Sequence, residues 1–286
     1  MRRLGLHAMV WVGGWSPEEC RYAAAKTAEA GYGLIEIPAL EPESMDAGET
    51  RKALEEHGLQ AACSLGLTLE TDVSSADPAT VRRGEERLAS ALEFASSVGA
   101  THLTGVLYGA LTKYPAPAAE KNRANSVSAI RRLADAARPA GVEVCLEAVN
   151  RYETNLMNTA EEAMAFLEEV GSDNVYVHLD TYHMNIEERS MRDAVLRCGD
   201  RLGYLHVGES HRGYLGTGSV NFDDLFAVVA ETGYDGPIAF ESFSSAVVSP
   251  LLSNTLAVWR NLWDDGMDLA VSARKFVEEG LGSAAT

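Results

Sequence analysis

VEVCLE (142–147), VYVHLD (175–180), LGYLH (202–206) and PIAFE (237–241) are the stretches on which the reading of this chain turns. Each is a short apolar run that ends on a side chain able to bind a metal: Glu147, Asp180, His206 and Glu241. In a barrel of parallel strands the carboxyl ends form the face that carries chemistry, so four such ends in succession predict one convergent site. Three carboxylates and an imidazole suit a hard divalent cation such as Mn²⁺ or Mg²⁺, with open positions left for a substrate. Acidic residues that merely cap the following loops would explain any one of the four, but not their coincidence.

Outward from these runs, short apolar stretches alternate with longer segments of helical period, the mark of βα units with parallel strands. Eight units can be counted. Strands are expected at Leu4 to Val10, Leu34 to Pro38, Ala61 to Leu67, His102 to Leu107, Val142 to Glu147, Val175 to Asp180, Gly203 to Val207 and Pro237 to Glu241. Helices are expected at Pro17 to Ala30, Ala47 to His57, Pro78 to Val98, Ala118 to Ala140, Thr159 to Val170, Met191 to Cys198, Phe222 to Thr232 and Pro250 to Asp264. Ser16-Pro17-Glu18-Glu19 reads as a helix start, with a capping hydroxyl, a proline in the first turn and acidic residues facing the dipole. Gly31, Gly58, Gly99, Gly141, Gly171 and Gly233 recur between a helix and the next strand. The pattern predicts an α/β fold, one (β/α)₈ TIM barrel spanning 1–286, with an extra carboxy-terminal helix near Asp268 to Gly280.

The 286 residues carry 42 acidic and 24 basic side chains, a formal charge of -18 spread along the chain. No basic stripe is visible, which argues against nucleic acid as a partner. No apolar stretch approaches a membrane span, and the first residues lack a secretory h-region. A cytoplasmic protein without a membrane partner is expected. Cys20, Cys63, Cys145 and Cys198 are widely spaced and show no C-x-x-C pair, so reduced thiols are expected.

The strings CLEAVNRYETN, HLDTYHMNIEE, HVGESHRGYLGTGSVNF and FESFSS resemble the active-site segments of ketose 3-epimerases, the D-tagatose and D-allulose (psicose) 3-epimerase group of the xylose-isomerase-like barrels. The similarity runs over nearly the whole chain, from LHAMVWVGGW to YDGPIAFESF, and is strongest to actinobacterial D-allulose 3-epimerases. The resemblance implies Glu147, Asp180, His206 and Glu241 as ligands of one divalent ion per subunit, Mn²⁺ foremost with Mg²⁺ or Co²⁺ as alternatives. It also implies Glu147 and Glu241 as the two acid/base residues, and Glu153, His183 and Arg212 as residues that hold the substrate oxygens near C1 to C3. A homodimer or homotetramer is implied as well.

Chemistry gives an independent reason for such a set. Epimerisation next to a ketone removes a proton from one face of C3 and returns one to the other, so two bases on opposite faces are needed. The cis-enediolate between them carries charge that a divalent cation stabilises as a Lewis acid. His183, three residues beyond Asp180, could reach a substrate oxygen or act as an ordinary loop histidine. Arg212 in ESHRG could donate to ketose oxygens, or pair at the surface with Glu209. Glu153 in NRYE could bind substrate, orient Arg151 or cap the next helix.

Trp15, Tyr108 and Phe243, with Trp11, could wall the sugar or could equally be core packing. His7 stands where the tagatose epimerase type carries an aromatic, and Gly66 in CSLGL allows close backbone approach near the same pocket. The expected reaction is interconversion of free ketoses, D-fructose with D-allulose or D-tagatose with D-sorbose. An aldose–ketose or hydroxypyruvate-type isomerase is the nearest alternative. A metal-dependent phosphodiesterase fits less well for want of more histidines and a basic groove, and a catalytically silent sugar-binding barrel is the alternative from outside enzymology.

Overall fold

A computed structural model describes residues 4–284. Its frame is eight parallel strands that close in sequence order, β1 (Leu4–His7), β2 (Leu34–Pro38), β3 (Gln60–Ser64), β4 (His102–Gly105), β5 (Glu143–Glu147), β6 (Val175–Asp180), β7 (Leu202–Val207) and β8 (Ile238–Phe240). The ring shuts where β1 pairs with β8, Leu6 opposite Phe240. Helices α1 (Pro17–Glu29), α2 (Ala47–His57), α3 (Pro78–Val98), α4 (Glu120–Ala140), α5 (Ala160–Val170), α6 (Thr181–Glu187), α7 (Met191–Cys198), α8 (Phe222–Glu231), α9 (Pro250–Thr255) and α10 (Gly266–Ala284) follow in turn.

Strand period two sorts these side chains onto two surfaces. Val144 and Leu146, Val177 and Leu179, Leu205 and Val207, and Ile238 and Phe240 join the main apolar core shared with the helices. The intervening Cys145, Tyr204 and Ala239 join Leu34 and Ala62 in a separate small cluster within the barrel, with Tyr176 packed against it. Two residues further along the same inward rows come Glu147, His206 and Glu241, while Asp180 follows Tyr176 and His178. The barrel interior is therefore apolar toward its amino-terminal end and polar at its carboxyl mouth. Each fully buried leucine of the outer rows stabilises the fold by roughly 1.5–3 kcal/mol. Leu179→Ala would break this layer most simply, at a cost of about 2–5 kcal/mol.

Local signals behave as physics requires. The Ser16 hydroxyl accepts from the Glu19 amide at 3.3 Å while the Ser16 amide donates to the Glu19 carboxylate at 2.9 Å, the reciprocal capping box. Gly141 ends α4 with φ 69, a left-handed turn that L residues resist. All four cysteines are free and buried. Among the described residues no helix is long and apolar enough to cross a membrane.

Four strands are shorter at their carboxyl ends than the sequence predicts, β8 by the single residue Glu241 and three others because the chain leaves the barrel there to shape the mouth. β1 stops at His7 and turns through a 3₁₀ segment, Ala8–Val10, held by the Met9 amide donating to His7 Nδ1 at 3.2 Å. β4 stops at Gly105, whose φ of 108 excludes a side chain and where a Cβ would lie 2.5 Å from the Leu65 carbonyl oxygen. β3 stops at Ser64, with Leu67 making only an isolated bridge to Ala110.

The segment expected as a helix from Pro250 to Asp264 is helical only over α9, and Ala257 adopts a left-handed φ of 54 soon after it. The carboxy-terminal helix is present as α10. It packs on α8 and β8 and reaches the start of the chain, where Tyr32 donates to the Ala270 carbonyl at 2.8 Å and Arg274 to the Ala30 carbonyl at 3.0 Å. It thus fills the eighth place in the outer ring. The short helix α6 is an addition to the expected set; the Asp180 carboxylate caps it by accepting from the Tyr182 amide at 2.7 Å.

Candidate metal centre and substrate cavity

The strand ends bring the four candidate ligands together, with Glu147 opposite His178 across β5 and β6. Asp180 pairs with His206 across β6 and β7, and the Glu241 amide bonds the Val207 carbonyl at 3.1 Å. Asp180, His206 and Glu241 lie close enough for one ion, and Glu147 shares further such groupings with His206 and with Asp180 and His183. All are buried. His206 Nδ1 lies 3.5 Å from Glu241 and 3.9 Å from Glu147 and has no hydrogen-bond partner.

That orphaned nitrogen is the clearest sign of a cation site, because buried polar atoms are nearly always satisfied. The carboxylates tell the same story. Burial holds the Glu147 carboxyl well above its ordinary range, a rise that His206 opposes and that the neighbouring Glu241 and Asp180 charges reinforce. Burial disfavours a charged His206, yet Glu36 and Glu241 outweigh it and push its pKa up to about 10. Such a crowd of anions fits a divalent ion bound by oxygen and imidazole donors.

Arg212 brings positive charge to this anionic cluster. Its guanidinium bonds Asp180 at 3.1 Å and Glu241, and it stacks 3.8 Å above the Tyr182 ring. The surface pairing with Glu209 does not occur. Glu209 is buried and instead accepts from the amides of Ser210, Gly216 and Val220, holding the loop after β7 in shape. Arg212 itself has a left-handed φ of 63, an uncommon conformation for a side-chain-bearing residue that here aims the guanidinium inward.

His183 also turns inward. Its Nδ1 accepts from the Asn150 amide at 3.1 Å, so the ring proton of the neutral form sits on Nε2, 3.6 Å from Glu147 and 3.7 Å from Asp180. Burial lowers its pKa to about 3, against the opposing pull of Asp180. Glu153 accepts from the Asn150 side chain at 2.8 Å and faces the cavity, while Arg151 pairs with Glu187.

The cavity over this centre is lined by Glu147, Glu153, His183, His206, Arg212 and Glu241. His7, Leu65, Gly66, Leu111 and Phe243 line it as well, with the Phe243 ring 5.2 Å from the Arg212 guanidinium. A Cβ at Gly66 would come within 2.9 Å of the Leu111 side chain, so the glycine does permit close approach. Three expected wall residues are absent from its lining. Trp15 is packed in the core with its indole donating to Thr50 at 3.0 Å, and Tyr108 is fully buried with its hydroxyl donating to the Glu147 carbonyl at 2.8 Å. Tyr108 thus braces the end of β5 from behind instead of touching a sugar. Trp11 likewise spends its indole on Thr27, at 3.0 Å.

Sequence reasoning missed Glu36 and His178. Glu36 is fully buried on β2, where it accepts from Tyr204 at 2.9 Å and His206 Nε2 at 2.6 Å. Burial opposes its ionisation, but the charges of His206 and His7 hold its carboxyl well below the usual range. A lone acid in LIEIP, an otherwise apolar strand, was the available signal. His178 shares the inward row with Asp180 and bonds Thr104 at 2.7 Å.

Fold and site together define a (β/α)₈ barrel with a polar mouth built to hold a metal ion. The pattern of the xylose isomerase-like TIM barrels matches residues 24–270. The L-ribulose 3-epimerase of Methylomonas sp. (strain DH-1) is 55% identical over 275 residues, covering 96% of each chain. The ketose 3-epimerase of Arthrobacter globiformis is 50% identical, covering 99% of this chain and 98% of its own. A crystal structure of the Methylomonas D-allulose 3-epimerase in complex with D-allulose superposes with a TM-score of 0.95 at 54% identity, covering 98% of both chains. The chain belongs to the xylose isomerase-like TIM barrel family, among its ketose 3-epimerases.

Proposed function

We propose that this enzyme inverts C3 of free ketoses, D-fructose with D-allulose and D-tagatose with D-sorbose, using Glu147 and Glu241 as its two proton-transfer groups. The observation that carries the reading is the pair of buried carboxylates 3.5 and 3.9 Å from His206 Nδ1, at the mouth of a barrel whose relatives carry ketose 3-epimerase names. Glu147, Asp180, His206 and Glu241 would hold one divalent ion, Mn²⁺ before Mg²⁺ or Co²⁺. When bound, that ion supplies a Lewis acid that stabilises negative charge on the substrate oxygens.

One glutamate removes the C3 proton and the other returns a proton to the opposite face, passing through a cis-enediolate. Each contributes about 10²–10⁴-fold as a positioned acid/base group. His183 Nε2–H and the Arg212 guanidinium donate to ketose oxygens as charge develops, and Glu153 accepts from a hydroxyl. Phe243, Leu65 and Leu111 exclude water. The apolar wall and the acidic surface both favour a neutral, unphosphorylated sugar. The chain works as one domain in the cytoplasm, as a homodimer or homotetramer.

The test is incubation of metal-stripped and then Mn²⁺-restored protein with D-fructose and with D-allulose in D₂O, read by NMR. Metal-dependent formation of the 3-epimer with deuterium at C3 is expected. Label at C1 with an aldose product would move the enzyme to the aldose–ketose isomerases.

A further inference from the structure

We propose that Glu36 is a positioning residue for the metal: its buried carboxylate accepts a hydrogen bond from the Nε2–H of His206, keeps the proton on that nitrogen, and so turns the Nδ1 lone pair toward Glu147 and Glu241. The assignment rests on the reading of His206 as a metal ligand, and it concerns a residue of β2, outside the four strands that carry the ligands.

The geometry is specific. A histidine can offer a metal only one nitrogen, and the hydrogen bond made by the other decides which. Glu36 lies 2.6 Å from His206 Nε2 and leaves Nδ1 without a partner. Glu36 is itself held on two sides. Tyr204 donates to the same oxygen at 2.9 Å, and His7 Nε2 lies 3.5 Å from the other. Because His7 Nδ1 accepts from the Met9 amide, the proton of the neutral His7 ring sits on Nε2 and faces Glu36 and, at 3.3 Å, the Ser64 hydroxyl.

A fully buried acid is costly unless donors surround it. One oxygen of this one accepts from both His206 and Tyr204 of β7, while the other has no hydrogen-bond partner and only faces His7 Nε2 of β1 at 3.5 Å. A glutamine side chain in its place could not reproduce the arrangement. If the amide oxygen accepted from His206, the amide nitrogen would face the His7 Nε2 proton, donor against donor.

The direct test is calorimetric titration of Mn²⁺ into metal-free wild type and Glu36→Gln, with circular dichroism to check folding. The Mn²⁺ dissociation constant should rise about ten- to a hundredfold in the folded variant. A folded variant that binds Mn²⁺ within about twofold of wild type overturns the proposal. A second measurement needs no variant: ¹⁵N–¹H correlation of the histidine rings in Mg²⁺-loaded wild type. Protonated Nε2 and bare Nδ1 on His206 are expected, and the reverse overturns the assignment. Neither readout involves a ketose. Wild type that binds Mn²⁺ as expected but fails to epimerise would remove the ketose reading and leave Glu36 in place, whereas an active epimerase indifferent to Glu36→Gln would do the opposite.

Discussion

The two halves of the barrel divide the work. Glu147, Asp180, His206 and Glu241 stand at or beside the carboxyl ends of β5 to β8, whereas β1 to β4 give way mainly to glycine, leucine and a turning backbone around the same cavity. One half gathers the candidate ligands, and the other, apart from Glu36 and His7 beneath them, supplies shape. The difference teaches where substitutions should strike the chemical step and where they should alter only the fit of the sugar.

The comparison is broken most directly in the charged half. Glu147→Gln or Glu241→Gln keeps shape and burial but removes a proposed proton-transfer group, so kcat/KM should fall by at least about 10²–10⁴-fold with the barrel still folded. Deuterium exchange at C3 measures each half-reaction. More than a few per cent of turnover in both variants would remove the two-base mechanism. Arg212→Met should follow, with a loss of roughly 10²-fold in kcat, because the guanidinium that meets Asp180 and Glu241 also donates to developing charge. A purely structural arginine would show instead as lost folded protein at unchanged kcat per folded molecule.

The shaping half should respond differently. Even the first carbon of the new side chain in Gly66→Val would lie 2.9 Å from the Leu111 side chain, so the wall must move into the cavity. KM for D-allulose should rise by about tenfold, the effect of roughly 1.4 kcal/mol of lost binding, with kcat less changed. A kcat loss as large as that of the glutamate variants would erase the division between the halves.

Much of this was legible in the sequence, and for a physical reason. Alternating apolar runs and amphipathic segments are imposed by burial on every βα unit, so strand order and helix positions could be read without coordinates. The four candidate ligands were legible because each stands at the end of such a run. Glu36 was not, since LIEIP shows only a charge inside a strand, and which face that charge takes depends on how all eight strands close. The segment after Pro250 misled because its apolar residues keep helical spacing past a backbone that turns left-handed at Ala257. The aromatics misled in another way: Trp15 and Tyr108 sit beside the mouth in sequence, but each has a polar tip that found a partner in the core.

That last distinction can be tested where the expected effect is smallest. Trp15→Phe removes the indole donor to Thr50, whose hydroxyl still donates to the Asp46 carbonyl at 2.7 Å and so is not left wholly unpaired. The loss should be about 1 kcal/mol, typical of one buried hydrogen bond. In a chain of this size that lowers Tm by roughly 2–4 °C. KM and kcat for D-allulose should stay within about twofold, since the ring joins α1 to α2 through the core and does not line the cavity. An unchanged Tm with a severalfold rise in KM would return Trp15 to the sugar wall and mean that the cavity extends over the start of α1, adding a third region to the two-part division.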